Sequence, residues 1–353
     1  MEAGPQPQMK ILIVKLSSLG DVVHTLPVVQ DILAALPGAQ IDWVLEKSFV
    51  PVLASVCGLH RVIPCALRRW RKSFWTAATR AEWCAFKADL QREAYDAVLD
   101  LQGLTKSAVV ARLARLSPAG KRFAMANATE GSGYEAPTRW LADVALAMPT
   151  HVHAVARGRL LAAQALGYSH TENADFGLIF KPNEPLAQVS TACAATNTIA
   201  NVPATRTVAF VHGTSRADKA WPLSHWVALG QRLNAAGLSV ALAHGSAREQ
   251  ATSQAIAAQL ERAVVWPLLP LNAVTDALAR CVGVVGVDSG VSHIAVALGL
   301  PHVQIYNFDT AWRTGPNAAT SHGRQRSVFA QPTPSVDAVR QAWLASSESA
   351  RTA

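Results

Sequence analysis

Two kinds of apolar pattern alternate along this chain. Lys10–Leu16 is a short aliphatic, β-branched run that predicts a buried strand. Ser17–Asp21 is a small polar turn, and Thr25 then predicts a helix N-cap with Pro27 in the first turn and an end near Leu36, before Pro37 and Gly38. Ile41–Leu45, Arg61–Pro64 and Tyr95–Leu101 read as further strands, and 78–93 and Thr105–Leu116 as helices. The second half repeats the plan. Strands are expected at Arg206–Val211, Ser239–Ala243, Val282–Val287 and His302–Tyr306. Helices are expected at Ser224–Ala235, Ala247–Leu260, Ala273–Arg280 and Val291–Leu298, with Ser224 as a cap and Gly237 as a stop. A lone helix, Ser335–Ala345, closes the pattern.

Strands alternating with helices imply right-handed crossovers and parallel sheets. The expected fold is therefore α/β: two doubly wound, Rossmann-like domains facing a central cleft, at 9–180 and 206–333. A linker rich in Pro, Asn, Thr and Ala joins them at 181–205, and Met1–Met9 reads as a short extension before the first ordered residue. In such sheets ligands bind beyond the carboxyl ends of the strands, so the segments that follow strands carry the candidate chemistry.

Composition narrows the classes. Of 353 residues, 50% are hydrophobic and 16% charged, which excludes a disordered chain. No apolar run is long enough to span a bilayer, and no secretory leader pattern opens the chain. The five cysteines (57, 65, 84, 193 and 281) are odd in number with no C-x-x-C spacing, so neither a disulfide framework nor a zinc knuckle fits, and a reducing cytosol is expected. The net charge is +8, and the segment Arg61–Arg122 alone holds 13 Lys/Arg against 5 Asp/Glu, an excess equal to that of the whole chain. So local a basic field points to a polyanionic partner: nucleic acid, an anionic membrane surface or a phosphorylated substrate.

Five post-strand or basic segments stand out. In Ser17-Ser18-Leu19-Gly20-Asp21, Gly20 permits a tight turn and Asp21 projects where a general base belongs, unless it only caps a helix. His212–Pro222 offers the hydroxyls of Thr214 and Ser215 and the point charge of Lys219, or is a plain solvated loop. Gly286–His293 ends a strand, turns through Asp288, Ser289 and Gly290, and starts a helix. This is a ready anion site or a simple cap. Arg68, Arg69, Arg71 and Lys72 surround Trp70 and suit phosphates, or form a solvated charged loop. Asp100–Ser107 brings Gln102, Thr105 and Lys106 to a strand end, or is an ordinary strand-to-helix junction. No G-x-G-x-x-G or Walker A spacing is present, which disfavours nicotinamide, flavin and P-loop sites.

Taken in order, Lys10–Pro27, Arg68–Lys72, Asp100–Ser107, Asp218–Pro222 and Val287–His293 resemble the heptosyltransferases of glycosyltransferase family 9 over about residues 9–345. The Ser17–Asp21 form and the Arg68–Lys72 run favour the branch that adds the first heptose over the one that adds the second. The resemblance implies a GT-B fold whose last helix, 334–348, crosses back to the first domain. It implies inverting transfer of L-glycero-D-manno-heptose from ADP-heptose to the first Kdo of Kdo-lipid A, at the cytoplasmic face of the inner membrane, by a peripherally associated enzyme.

By the same resemblance Asp21 is the catalytic base. The donor is held by Thr214, Ser215, Lys219, Asp288, Ser289, Gly290 and His293, with Glu249 aligned with a ribose-binding acid. Acceptor contacts fall to Ser17, Ser18, Gly20, Arg68, Arg69, Arg71, Lys72, Gln102 and Lys106. No cofactor or metal is implied, and no D-x-D occurs. A Lys and a helix N-terminus suit a departing diphosphate. The chain departs from the family where Tyr306–Arg313 replaces a Tyr-Gly-Pro-Thr-Asp run, and 127–136 reads as a Gly/Ser-rich acceptor loop. Two other readings stay open: a relative using another acceptor or nucleotide sugar, and a basic membrane- or nucleic-acid-binding protein. The latter gives Asp21 and the phosphate turns no role, and no nucleic-acid-binding signature is present, so no nucleic-acid partner is expected.

Overall fold

The computed structural model describes residues 8–178, 206–321 and 323–349, so the expected linker lies outside the described residues. The chain divides into two compact units, Met1–Gly177 and Leu178–Ala353. The first is built on strands β1 (Lys10–Val14), β2 (Gln40–Glu46), β3 (Leu59–Cys65), β4 (Ala94–Asp100), β5 (Arg115–Met125) and β6 (Val144–Leu146). Their order is β3-β2-β1-β4-β5-β6, and every pairing is parallel. The second unit uses β7 (Thr207–Val211), β8 (Ser239–Leu242), β9 (Ala263–Val265), β10 (Gly283–Val287), β11 (His302–Tyr306) and β12 (Gln325–Phe329). Its order, β12-β11-β10-β7-β8-β9, is the same connectivity and again wholly parallel.

In each unit the chain winds outward through three strands, returns to the middle and winds the other way. The strand order reverses between β1 and β4 and between β7 and β10, where the crevice at the carboxyl ends opens. Helices cover both faces, which is why Ile11–Val14 and Val208–Phe210 are fully buried with no alternation. In the first core Leu12, Val14, Val44 and Val98 pack with Trp70, Phe86 and Leu90. In the second, Phe210, Trp221, Trp226 and Val285 pack with Val339 and Trp343. Each such side chain contributes about 1.5–3 kcal/mol by leaving water. The last helix, Val336–Ser349, lies against β11, β12 and the helix Leu223–Ala235.

Several expectations are corrected. The first helix is Leu19–Ala35, capped by Ser18 rather than Thr25, so Asp21 lies in its first turn and Pro27 in its interior. Thr25 spends its hydroxyl on the carbonyl of Asp21 at 2.8 Å, a bond made inside a helix. Pro222, not Ser224, caps the helix Leu223–Ala235. The helix from Thr105 stops at Leu113, and the chain enters β5 at Arg115. β5 escaped the apolar reading because its first half is mostly solvent-facing and carries Pro118, Gly120 and Lys121. The helix Ala154–Leu166 escaped because two of its buried residues are arginines, Arg157 and Arg159, the latter gripping Asp31 through two hydrogen bonds of 2.6 and 2.9 Å.

Candidate active site

The end of β1 carries the first cluster. Ser18 donates from its main-chain N–H and its hydroxyl to Asp21 Oδ2, both at 3.0 Å, which closes the first turn of the helix. An acid at this position also meets the positive end of the helix dipole. The other oxygen, Oδ1, lies 3.5 Å from Lys15 Nζ, while the carboxylate stays about one-third exposed at 35%. Lys15 itself is buried and donates to the carbonyl of Leu101 at 2.9 Å. Burial pushes the Asp21 carboxyl up, but Lys15, the Ser18 hydrogen bonds and Arg157 outweigh it and hold the group below the usual carboxylate range. Asp21 is thus an ionised carboxylate with a solvent-reachable edge, as a general base must be.

The turn after β4 braces this cluster. Gln102 Oε1 accepts from the main-chain N–H groups of Leu16 and Ser17 at 2.9 and 3.1 Å. Lys106 Nζ donates to Ser17 Oγ at 3.1 Å. Gln102 therefore shapes the Ser17–Ser18 segment with its amide oxygen. Buried Asp100 accepts from the N–H groups of Gln102 and Gly103 and from Ser107 Oγ, which sets the turn. The 127–136 segment is tied in as well: Thr105 N–H donates to Glu135, Glu135 N–H to Gly103, and Arg157 to Thr129 Oγ1. Gly20 sits in the first helical turn beside Asp21.

The basic run is a helix, Leu67–Ser73, which corrects the backbone of the charged-loop alternative and leaves the phosphate reading open. Trp70 is the reason. It is buried against Phe86 and Trp83, and its indole N–H donates to Glu82 at 2.8 Å. With Trp70 turned inward, Arg68, Arg69, Arg71 and Lys72 are exposed. Arg69 pairs with Glu82, so Arg68, Arg71 and Lys72 present the outward charge. Beyond them Phe74 and Trp75 stand 47% and 87% exposed.

The second cluster follows β7 and β10, at the reversal of the second sheet. Lys219 Nζ donates to Asp288 Oδ2 at 2.5 Å, and His293 Nε2 lies 3.4 Å from Asp288 Oδ1. Burial pushes the Asp288 carboxyl up, but His293 and Lys219 hold it well below its ordinary range. Ser289 caps the helix Gly290–Ala297, whose first N–H groups open beside this pair. Ser292 Oγ would lie 2.3 Å from any Cβ at position 286, so only Gly286 lets the helix seat on the strand.

Next to it lies a cavity of about 290 Å³, lined among others by Thr214, Ser215, Arg248, Glu249 and Thr252. Thr214 Oγ1 is buried on this cavity with no hydrogen-bond partner among the described residues. Glu249 accepts from the Gly245 N–H at 2.7 Å. Gly213 admits it: a Cβ there would fall 2.7 Å from the Glu249 carboxyl carbon.

Sequence reasoning missed Lys15, which it read as part of a strand, and Arg157 and Arg248, which no local pattern marks. It also left Tyr306–Arg313 unexplained. Asn307 Nδ2 donates to the carbonyls of Asp218 and Ala220, at 2.9 and 3.0 Å, and so clamps the loop on both sides of Lys219. Phe308 lies under the Arg216 guanidinium at 5.9 Å. Among the described residues, no group of three or more His, Cys, Asp or Glu is placed to hold a metal ion. No described helix is long and apolar enough to cross a membrane.

Twin doubly wound parallel sheets, with an ionised carboxylate after β1 in one unit and a helix N-terminus after β10 in the other, are the architecture of a glycosyltransferase of the GT-B type. Residues 83–339 match the family described as glycosyltransferase family 9 (heptosyltransferase). The chain is 37% identical over 319 residues to lipopolysaccharide heptosyltransferase 1 of Pseudomonas aeruginosa, covering 90% of this chain and 82% of that one. It is 35% identical over 331 residues to lipopolysaccharide heptosyltransferase 1 of Escherichia coli, covering 92% and 94%. Among solved structures, E. coli heptosyltransferase WaaC with ADP superposes with a TM-score of 0.80 at 33% identity, covering 94% of this chain and 98% of that one. The chain belongs to glycosyltransferase family 9, the heptosyltransferases, and is an enzyme of that family.

Proposed function

We propose that this enzyme moves L-glycero-D-manno-heptose from ADP-heptose to the first Kdo of a Kdo-lipid A acceptor, in synthesis of the lipopolysaccharide inner core. The observation that carries the reading is the second-unit site: a cavity lined by Thr214, Ser215 and Glu249 beside the Lys219–Asp288–His293 cluster at a helix N-terminus. The relative that superposes with a TM-score of 0.80 was solved with ADP, and another solved form of it with ADP-2-deoxy-2-fluoro heptose.

In this reading Asp21 takes the proton of the attacking Kdo hydroxyl. The hydroxyl oxygen bonds the anomeric carbon from the face opposite the diphosphate, the carbon–oxygen bond to the diphosphate breaks, and the configuration inverts. ADP leaves with the electron pair of that bond. Lys219 has two N–H groups beyond the one given to Asp288, and with the N–H groups of Ser289 and Gly290 it neutralises the departing charge. Thr214 and Ser215 hydrogen-bond the phosphates, and Glu249 takes ribose hydroxyls. Arg68, Arg71 and Lys72 meet the Kdo carboxylates and lipid A phosphates, with Lys106 and the Ser17–Ser18 turn nearer the reacting sugar.

The same face supports peripheral association with the cytoplasmic side of the inner membrane. An exposed Phe74–Trp75 pair beside the three exposed cations Arg68, Arg71 and Lys72 suits the headgroup zone of an anionic leaflet.

Mass spectrometry of de-acylated di-Kdo lipid A after incubation with ADP-heptose tests the reaction. One added heptose is expected, and Asp21→Asn should lower turnover at least about a hundredfold with ADP affinity retained. Transfer from GDP-mannose instead, or near-normal turnover in folded Asp21→Asn, overturns the assignment.

A further inference from the structure

Lys15 has no part in the transfer as derived above, yet it is one of the most thoroughly buried charges in the molecule, 3% exposed at the end of β1. A methionine would fill the same apolar volume without desolvating an ammonium, so the charge itself calls for an explanation. Its surroundings are fixed. The main-chain carbonyl of Lys15 accepts from the Trp43 indole N–H at 3.1 Å and its N–H donates to Val44, which locks the backbone. Nζ is pinned to the Leu101 carbonyl at 2.9 Å, and the nearest carboxylate oxygen is Asp21 Oδ1 at 3.5 Å. Asp21 is gripped from its other side by Ser18, so the carboxylate plane is set between two donors on one oxygen and one ammonium at the other.

We propose that Lys15 is the positioning residue of Asp21: its ammonium, anchored just beyond the end of β4 through the Leu101 carbonyl, holds the Asp21 carboxylate ionised and fixes its orientation toward the acceptor hydroxyl. This rests on the reading of Asp21 as the base.

Other charges converge on the same point. Asp100 from β4 and Arg157 from the helix Ala154–Leu166 both act on Lys15, Arg157 also acts on Asp21, and His24 lines the small recess around them. Arg157 and Lys15 favour the anionic form of Asp21. Asp100 stabilises the Lys15 ammonium but gives Asp21 no hydrogen bond. Lys15 combines contact with Asp21 and a hydrogen bond to the Leu101 carbonyl at the end of the neighbouring strand. When Asp21 takes the acceptor proton the pair becomes a neutral acid beside a dehydrated ammonium, an arrangement that favours passing the proton to water before the next turnover.

The test is the pH profile of kcat/KM for wild type, Lys15→Met, Lys15→Gln and Lys15→Arg, with Asp21→Asn in parallel. An opposite charge at this range lowers a carboxyl by roughly one to three units. The acidic limb should therefore move up by about one unit or more in Lys15→Met and Lys15→Gln, and stay near wild type in Lys15→Arg. ADP affinity, a property of the other unit, should be unchanged in all three. The Asp21 carboxyl titration followed by ¹³C NMR in the free protein reads the same shift without turnover. An acidic limb and a carboxyl titration that stay in place in a folded Lys15→Met or Lys15→Gln overturn the proposal, whatever happens to kcat. Failure of the underlying reading looks different: Asp21→Asn itself would keep its turnover.

Discussion

Replacing Lys219 by methionine keeps the length of the stem and deletes the ammonium that meets Asp288. The contact is 2.5 Å, with the two side chains 20% and 7% exposed, so water screens it little. A charge-assisted hydrogen bond of this kind contributes about 1.5–3 kcal/mol. Asp288 keeps His293 as a second partner at 3.4 Å, so the carboxylate is not stranded and the lower end applies, roughly 1.5–2 kcal/mol. In a unit of this size 1 kcal/mol corresponds to about 2–4 °C, so calorimetry should show the second unit's transition lowered by roughly 3–8 °C. Function should suffer more than stability. Losing one cation from a leaving-group site lowers kcat by about 10²–10³, and ADP should bind about tenfold more weakly or worse by titration calorimetry. Asp288→Asn separates the two effects. The thermal losses of the single variants should be strongly non-additive in the double variant, because one bond is removed twice. The ADP deficit of Lys219→Met should persist in either background. Wild-type ADP affinity in Lys219→Met would refute the reasoning and leave the pair purely structural.

Other outcomes follow from neighbouring features. Burial raises the Asp100 carboxyl from 3.8 to about 6, so the folded state retains a proton that the unfolded chain releases, and stability falls as pH rises from about 4 to about 6. Asp100→Asn should therefore be more stable than wild type at pH 8, by on the order of 3 kcal/mol, and match it near pH 4. An equal difference at both pH values contradicts this. Gly213→Ala should push Glu249 aside and raise the donor KM about tenfold while sparing the acceptor KM. An unchanged donor KM would place Glu249 outside the donor site. Neutralising Arg71 and Lys72 together should raise the acceptor KM and flatten its salt dependence, with the donor KM constant. If neither changes, these are solvated charges. Trp75→Ser should weaken cosedimentation with phosphatidylglycerol vesicles free of acceptor, and equal binding would assign the exposed ring another role.

The fold was legible where an apolar run ends in small polar residues. That local signal marked the carboxyl ends of β1, β4, β7 and β10, and the parallel winding then placed these ends at the reversal points. It failed where tertiary contacts override pattern. Arg157 and Arg159 hide a helix because both are buried, Arg157 on the Thr129 hydroxyl and Arg159 on the Asp31 carboxylate. The loop alternative for Arg68–Lys72 falls once Trp70 is seen to need the core. Asp21 as a candidate came from its place after a strand, but its ionisation depends on Lys15 and on an arginine more than a hundred residues away in sequence. The Lys219–Asp288 contact joins residues 69 apart, and the clamp by Asn307 joins residues 89 apart. No spacing rule anticipates such partners.

The packing of the helix Val336–Ser349 bears on how the chain is made. The ribosome delivers all six strands of the first unit before β7 appears, so that unit can close while synthesis continues. The second unit has no such freedom. Its central strands are threaded early, but Val339 and Trp343, 0% and 3% exposed in its core, emerge after every strand they cover. Until then β11 presents Val303 and Ile305 with no lid, beside an edge that β12 has only just reached. A nascent chain stalled between Tyr306 and Val339 is thus a folded first unit carrying an open, sticky sheet, the form most in need of a chaperone. A stop codon in the same interval should yield aggregates rather than a shortened enzyme.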